Sequence, residues 1–109
     1  MEYRKLTRAE EDIMKVVWKK DRAAVSIGDI LTGLRETKKP DYARTTLVTI
    51  LSKIIEKGYA VTARNGKNAY VYPKVTYDEY RKMVMKDMVD SLYDGDVAKA
   101  QMFLSELAQ

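Results

Sequence analysis

Apolar residues recur at helical spacing from the start of the chain. Ile13, Met14, Val17 and Trp18 follow an i, i+1, i+4, i+5 rhythm that marks one buried stripe, Trp18 being its core anchor. Thr7 and Glu10 precede the stripe three residues apart, the spacing of a capping box in which side chain and backbone satisfy two orphan N–H groups reciprocally. A connection follows over 21–25, where Ala24-Val25 can pair briefly as a strand. Ser26 then caps a second helix, with Asp29 at its N3 position and Ile27, Ile30, Leu31 and Leu34 facing inward. Lys39 precedes Pro40 and is biased away from helical angles, so this helix ends before it and 37–41 form a loop.

The third periodic segment predicts a helix over 43–57, closed by Gly58 as a left-handed cap. At 100° per residue, Leu47, Ile50, Leu51, Ile54 and Ile55 share a core-facing arc. Thr45, Thr49, Ser52, Lys53 and Glu56 share the opposite arc, with Arg44 and Thr46 at its margins. Threonine is an indifferent helix former, so three of them here suggest a requirement other than helix stability. Small hydroxyl side chains allow close approach to base edges and phosphates. The same arc also suits a plain solvated helix surface. Alternating residues 59–64 and 69–72 then predict two strands joined by Asn65-Gly66-Lys67-Asn68, with pairing ended by Pro73. Arg64 and Lys67, with Asn68 as a further candidate, sit at the hairpin tip within reach of a nucleic-acid backbone.

Three helices and a hairpin make a winged helix-turn-helix, with a core of Ile13, Val17, Trp18, Ile30, Leu34, Leu47, Leu51 and Ile54. The pattern changes after residue 75. Thr76 and Glu79 repeat the capping-box spacing ahead of a helix to about Tyr93. Gly95 breaks it, and Asp96 caps a last helix from Val97 to about Ala108. Tyr80, Val84, Met85, Met88, Val89 and Leu92 cover about half the circumference of the first of these helices, against a usual apolar stripe of a little over 100°. Val97, Ala100, Leu104, Leu107 and Ala108 add to it. The expectation is a symmetric dimer held by Tyr80, Val84, Met88, Leu92, Val97, Leu104 and Leu107. The alternative is that both helices fold back on their own domain. The fold class is therefore mainly α with a small β-hairpin: a winged-helix DNA-binding domain (1–75) followed by a two-helix dimerisation region (76–109).

Composition narrows the chemistry. The 109 residues contain no cysteine and no histidine. Disulfides, Cys or His zinc sites and His-dependent triads are excluded. The 16 acids read as scattered over solvent faces beside lysines, so no enzymatic activity, catalytic residue, cofactor or metal is expected. No apolar run approaches the ~20 residues that span a bilayer, and the charged start is no signal peptide, so a cytoplasmic protein is expected. Residues 1–75 carry sixteen Lys and Arg against nine Asp and Glu, and residues 76–109 four against seven. A balance of +7 beside one of −3 suits a polyanion partner for the first part only, or two ordinary solvated surfaces.

The segments Leu6-Thr7-Arg8-Ala9-Glu10-Glu11-Asp12-Ile13-Met14-Lys15-Val16-Val17-Trp18, Tyr42-Ala43-Arg44-Thr45-Thr46-Leu47-Val48-Thr49-Ile50-Leu51, Lys57-Gly58 and Tyr70-Val71-Tyr72 together resemble the penicillinase-repressor family, as does Leu92-Tyr93-Asp94-Gly95-Asp96 at the junction of the last helices. The resemblance implies a homodimeric repressor of palindromic operators upstream of antibiotic-resistance or related genes, commonly those for β-lactamases or penicillin-binding proteins. By position, Arg44, Thr45, Thr46, Thr49 and Lys53 would face operator DNA, with Arg64 and Lys67 on the wing. The family's antibiotic-responsive members answer to a membrane sensor-protease system and are cleaved at an Asn-Phe pair. The aligned residues here are Phe103-Leu104, a departure that counts against such a partner. Better-known relatives continue through another helix, which predicts a smaller or rearranged dimer interface. The copper-responsive branch needs a cysteine cluster that this sequence lacks. A winged helix can also serve as a protein-interaction module without direct DNA binding, and this is the second reading.

Overall fold

The structure, a computed structural model, describes residues 4–19, 24–37 and 42–109. Its elements in chain order are α1 (Arg8–Lys19), β1 (Val25–Ser26), α2 (Ile27–Glu36), α3 (Arg44–Glu56), β2 (Ala60–Asn65), β3 (Asn68–Pro73), α4 (Tyr77–Leu92) and α5 (Val97–Leu107). Two compact units result, Met1–Tyr77 and Asp78–Gln109.

In the first unit the local signals are realised as hydrogen bonds. Glu10 N–H donates to Thr7 Oγ1 (3.3 Å) while Thr7 N–H donates to Glu10 Oε1 (2.7 Å), a complete capping box at the head of α1. Asp29 N–H donates to Ser26 Oγ at 3.1 Å and starts α2, which ends at Thr37. The Lys39-Pro40 stop and most of the 37–41 loop lie outside the described residues. Helix α3 closes in a Schellman motif: Tyr59 N–H donates to Ile54 O (3.2 Å), Gly58 N–H donates to Ile55 O (2.9 Å), and Gly58 has a φ of 88°.

Ile13, Val17, Trp18, Ile30, Leu34, Leu47, Leu51 and Ile54 are all buried, joined by Leu6, Met14, Val25, Tyr59 and Val71. Burying each large aliphatic side chain contributes roughly 1.5–3 kcal/mol. Ile50, Ile55 and Leu31, expected inward, are only half-buried because each lies at the edge of its helix's apolar arc. Trp18 anchors the rear of the core: its indole N–H donates to Val75 O at 2.8 Å, and its ring stacks on Tyr77 at 5.0 Å between centroids.

The sheet is antiparallel with order β1-β3-β2, so the hairpin gains a third strand. The brief strand falls on Val25–Ser26 rather than Ala24-Val25, because Val25 is the partner of Val71 and Ser26 that of Tyr70. Ser26 thus serves as both strand residue and helix cap. The hairpin ladder is longer than expected, running from Asn65 opposite Asn68 to Ala60 opposite Pro73. This leaves Gly66-Lys67 as a two-residue turn, with Gly66 at φ 67°.

One expectation about charge is overturned. Glu10 is not on a solvent face; it is 2 % exposed, and its partner is Lys57, 47 residues away, with Nζ at 2.6 Å from Oε1. The same ammonium donates to Lys5 O at 3.0 Å. A capping residue cannot move outward without giving up the Thr7 amide, so the core closes over it and a cation has to follow.

In the second unit α4 and α5 are joined by a turn with Asp94 at φ 50° and Gly95 at φ 81°. Asp96 caps α5 by accepting from Lys99 N–H at 3.1 Å. Ala100 is buried, the rings of Tyr93 and Phe103 lie 6.1 Å apart, and Arg81 pairs with Asp78 on the surface of α4.

Candidate nucleic-acid interface

Helix α3 shows its polar arc to solvent. Arg44, Thr45, Thr46, Thr49, Ser52, Lys53 and Glu56 are all exposed, while Leu47, Leu51 and Ile54 behind them are buried. Arg64 and Lys67, at the end of β2 and in the turn, are exposed as well. Among the described residues none of Arg44, Lys53, Arg64 and Lys67 has an ion pair, so each cation is available to an external anion.

The start of α3 is electropositive for a second reason. Its N-cap is Ala43, which makes no side-chain capping bond, and its first turn holds no acid. The free N–H groups and the helix dipole therefore add to the Arg44 charge rather than being spent internally.

A groove of about 520 Å³ runs between α3 and the hairpin. Arg44 and Arg64 line it from opposite elements, and Val48, Ser52, Ile55, Thr62, Ala63 and Ala69 make up most of its walls. The fold thus brings the helix and wing cations to one cleft, which a separation of 20 positions in sequence does not announce. Thr46 and Lys53 lie away from this cleft, on the other margin of the exposed arc.

Two hydroxyls on α3 are already committed as donors. Thr49 Oγ1 donates to Thr45 O at 3.0 Å, and Ser52 Oγ donates to Val48 O at 3.1 Å. In that arrangement each presents its lone pairs to a bound molecule.

Val48 is the residue that reading by arcs missed. It is 47 % exposed in the middle of α3, one turn from Arg44 and one from Ser52. Its wheel position, 40° from Arg44, falls between the inward and outward arcs, and that intermediate angle was the available signal.

A second depression, about 240 Å³ between α1 and α2, is lined by Asp29, Glu36 and Lys19. The two acids stand seven residues apart on one helix, about 10 Å of axial rise, so they do not face each other as a catalytic pair.

The residues assigned to dimerisation divide in the structure. Tyr80 is buried, Val84 and Met88 are half-buried, and Leu92, Val97, Leu104 and Leu107 are exposed. Met85, Met102 and Phe103 are exposed apolar residues of the same unit that had no place in that set. No helix among the described residues is long and apolar enough to cross a membrane.

Comparison with known proteins gives the family and a similar fold. The family model described as penicillinase repressor matches residues 6–108. Among solved structures, the chain is similar to Bacillus licheniformis BlaI, determined in solution in monomeric form in complex with the blaP half-operator. The match has a TM-score of 0.56 and 23 % identity, and covers 72 % of this chain and 92 % of that one. No curated protein matches the chain.

Proposed function

This chain belongs to the penicillinase repressor family, and from that premise we propose that it works as a homodimer on a palindromic operator, each subunit laying α3 in the major groove. It is a DNA-binding transcriptional repressor. In the proposed complex Arg44, Lys53, Arg64 and Lys67 neutralise phosphates and supply much of the affinity. Thr45, Thr46 and Thr49 set the register and read part of the sequence. Residues 1–75 form the reading domain and 76–109 the dimerisation region. The reading places the protein in the cytoplasm, assigns it no catalytic step or cofactor, and takes its targets to be antibiotic-resistance or related genes.

One observation carries this: a helix face of threonines and unpaired cations is exposed beside a cationic hairpin, over a well-packed core. The apolar side chains that α4 and α5 leave exposed support the dimer, since such a set on a helix pair calls for a partner surface.

The test is a gel shift on DNA from the gene's own upstream region, with Thr49→Glu beside the wild type. An acid at this exposed site repels phosphates without disturbing the core. Loss of binding by more than a hundredfold with an unchanged circular-dichroism spectrum is expected. Tight binding by the variant would mean that another surface meets DNA. Failure of the wild type to shift any fragment would favour a protein-interaction module.

A further inference from the structure

Val48, 47 % exposed, lies on the side of α3 that faces the hairpin and lines the groove with Arg44, Ser52, Ile55 and Ala63. Beside it, Thr49 and Ser52 have given their hydroxyl protons to the helix backbone. They offer lone pairs outward and, for Thr49, a methyl group. The middle of this stripe therefore presents apolar contact next to hydrogen-bond acceptors, with no donor of its own.

In the major groove the apolar part of that combination has one complement. An A·T pair displays the thymine 5-methyl group and, across the pair, the N6 amino donor of adenine. A G·C pair also offers a donor, the cytosine N4 amino group, but it carries no methyl, so the apolar contact is what separates the two pairs. The guanidinium that could read guanine, Arg44, lies one turn toward the helix start, at the groove edge.

We propose that Val48 is a specificity-determining residue that packs on a thymine 5-methyl group in each half-site, while the Thr49 hydroxyl accepts from the adenine amino group of the same or the adjacent pair. The proposal rests on the repressor reading and sharpens it. It assigns part of the sequence preference to an apolar contact rather than to a basic side chain.

The experiment uses a duplex enriched from a random-sequence library by the full-length wild-type protein. Each thymine is replaced singly by deoxyuridine, which removes the methyl and leaves every hydrogen-bonding group in place. The wild type is expected to lose about fourfold in affinity at one thymine of each half-site, the effect of unburying one methyl-sized group. Val48→Ala folds as the wild type does, since alanine favours the helix and the site is exposed. It should bind the thymine duplex several-fold more weakly and no longer distinguish it from the deoxyuridine duplex. Full discrimination by Val48→Ala, or indifference of the wild type to every replacement, overturns the proposal while leaving the repressor reading intact. A library that yields no enriched duplex overturns both.

Discussion

At Glu10 two demands meet on one carboxylate. It completes the cap of α1, and it is buried with Lys57 from the end of α3 as its counter-ion. Burial pushes this carboxyl up. The Lys57 hydrogen bond, the Thr7 amide, the Lys57 charge and the Thr7 hydroxyl outweigh that and hold it below its ordinary value of 4.5. A group held below its unfolded-state value adds stability that is complete above that value and is lost as pH falls through the lower, folded one. Glu10→Gln should therefore lower the unfolding free energy at pH 7 by about 1–3 kcal/mol. The gap to the wild type should narrow as pH is taken below 4.5. Urea melts at pH 7 and pH 3 check this, and an equal gap at both would remove the ion pair from the account. The cap half of this site was legible because Thr7 and Glu10 are neighbours in sequence. The Lys57 half was not, since nothing local links residues 47 positions apart.

At the scale of elements, α2 supports α3 through close contact with α1. A Cβ built on Gly33 would lie 2.5 Å from Val16 Cγ1 and 3.2 Å from Cγ2, and Val16 is itself buried. Valine has little rotameric freedom in a helix, so the two backbones would have to separate. Gly33→Ala should destabilise by about 1–2 kcal/mol, because overpacking exceeds the gain in helix propensity. Gly28, on the same helix, is the control. A Cβ there meets only Ser26 Oγ, at 3.9 Å, so Gly28→Ala should be neutral or stabilising by up to about 1 kcal/mol. Thermal melts of the two variants separate the effects, and equal shifts would show that α1 and α2 are not held this closely. The helices, the caps at Thr7, Ser26, Gly58 and Asp96 and the hairpin turn were legible, since each depends on residues within four of one another. The third strand was only half legible, because its two residues are fixed by partners at Tyr70 and Val71.

For the molecule as a whole, the division of charge and the distribution of apolar surface argue together. The first 75 residues hold the surplus of cations, and the rest hold a surplus of acids beside Leu92, at 69 % exposure, and Leu107, at 68 %. We propose that a dimer is built on these side chains, acid-rich segment against acid-rich segment. Leu107→Asp should shift the monomer–dimer equilibrium by tenfold or more, about 1.4 kcal/mol, with helix content unchanged because the side chain is exposed. Sedimentation equilibrium over a range of concentrations measures it. An unaltered dimer would exclude the end of α5 from the interface.

What the sequence determined by itself was whatever depends on local order. Periodicity gave the helices and their inward faces, and short spacings gave the caps and the turn. The absence of cysteine and histidine removed whole classes of chemistry. Only the tertiary structure decided which distant groups would share a site: Lys57 against Glu10, Arg44 across a groove from Arg64, and Val48 half-exposed at its wall. The physical reason is that burial and proximity belong to the packed chain. A side chain at the margin of an amphipathic arc is covered or left open by whatever element packs beside it, and no spacing within its own helix records that choice.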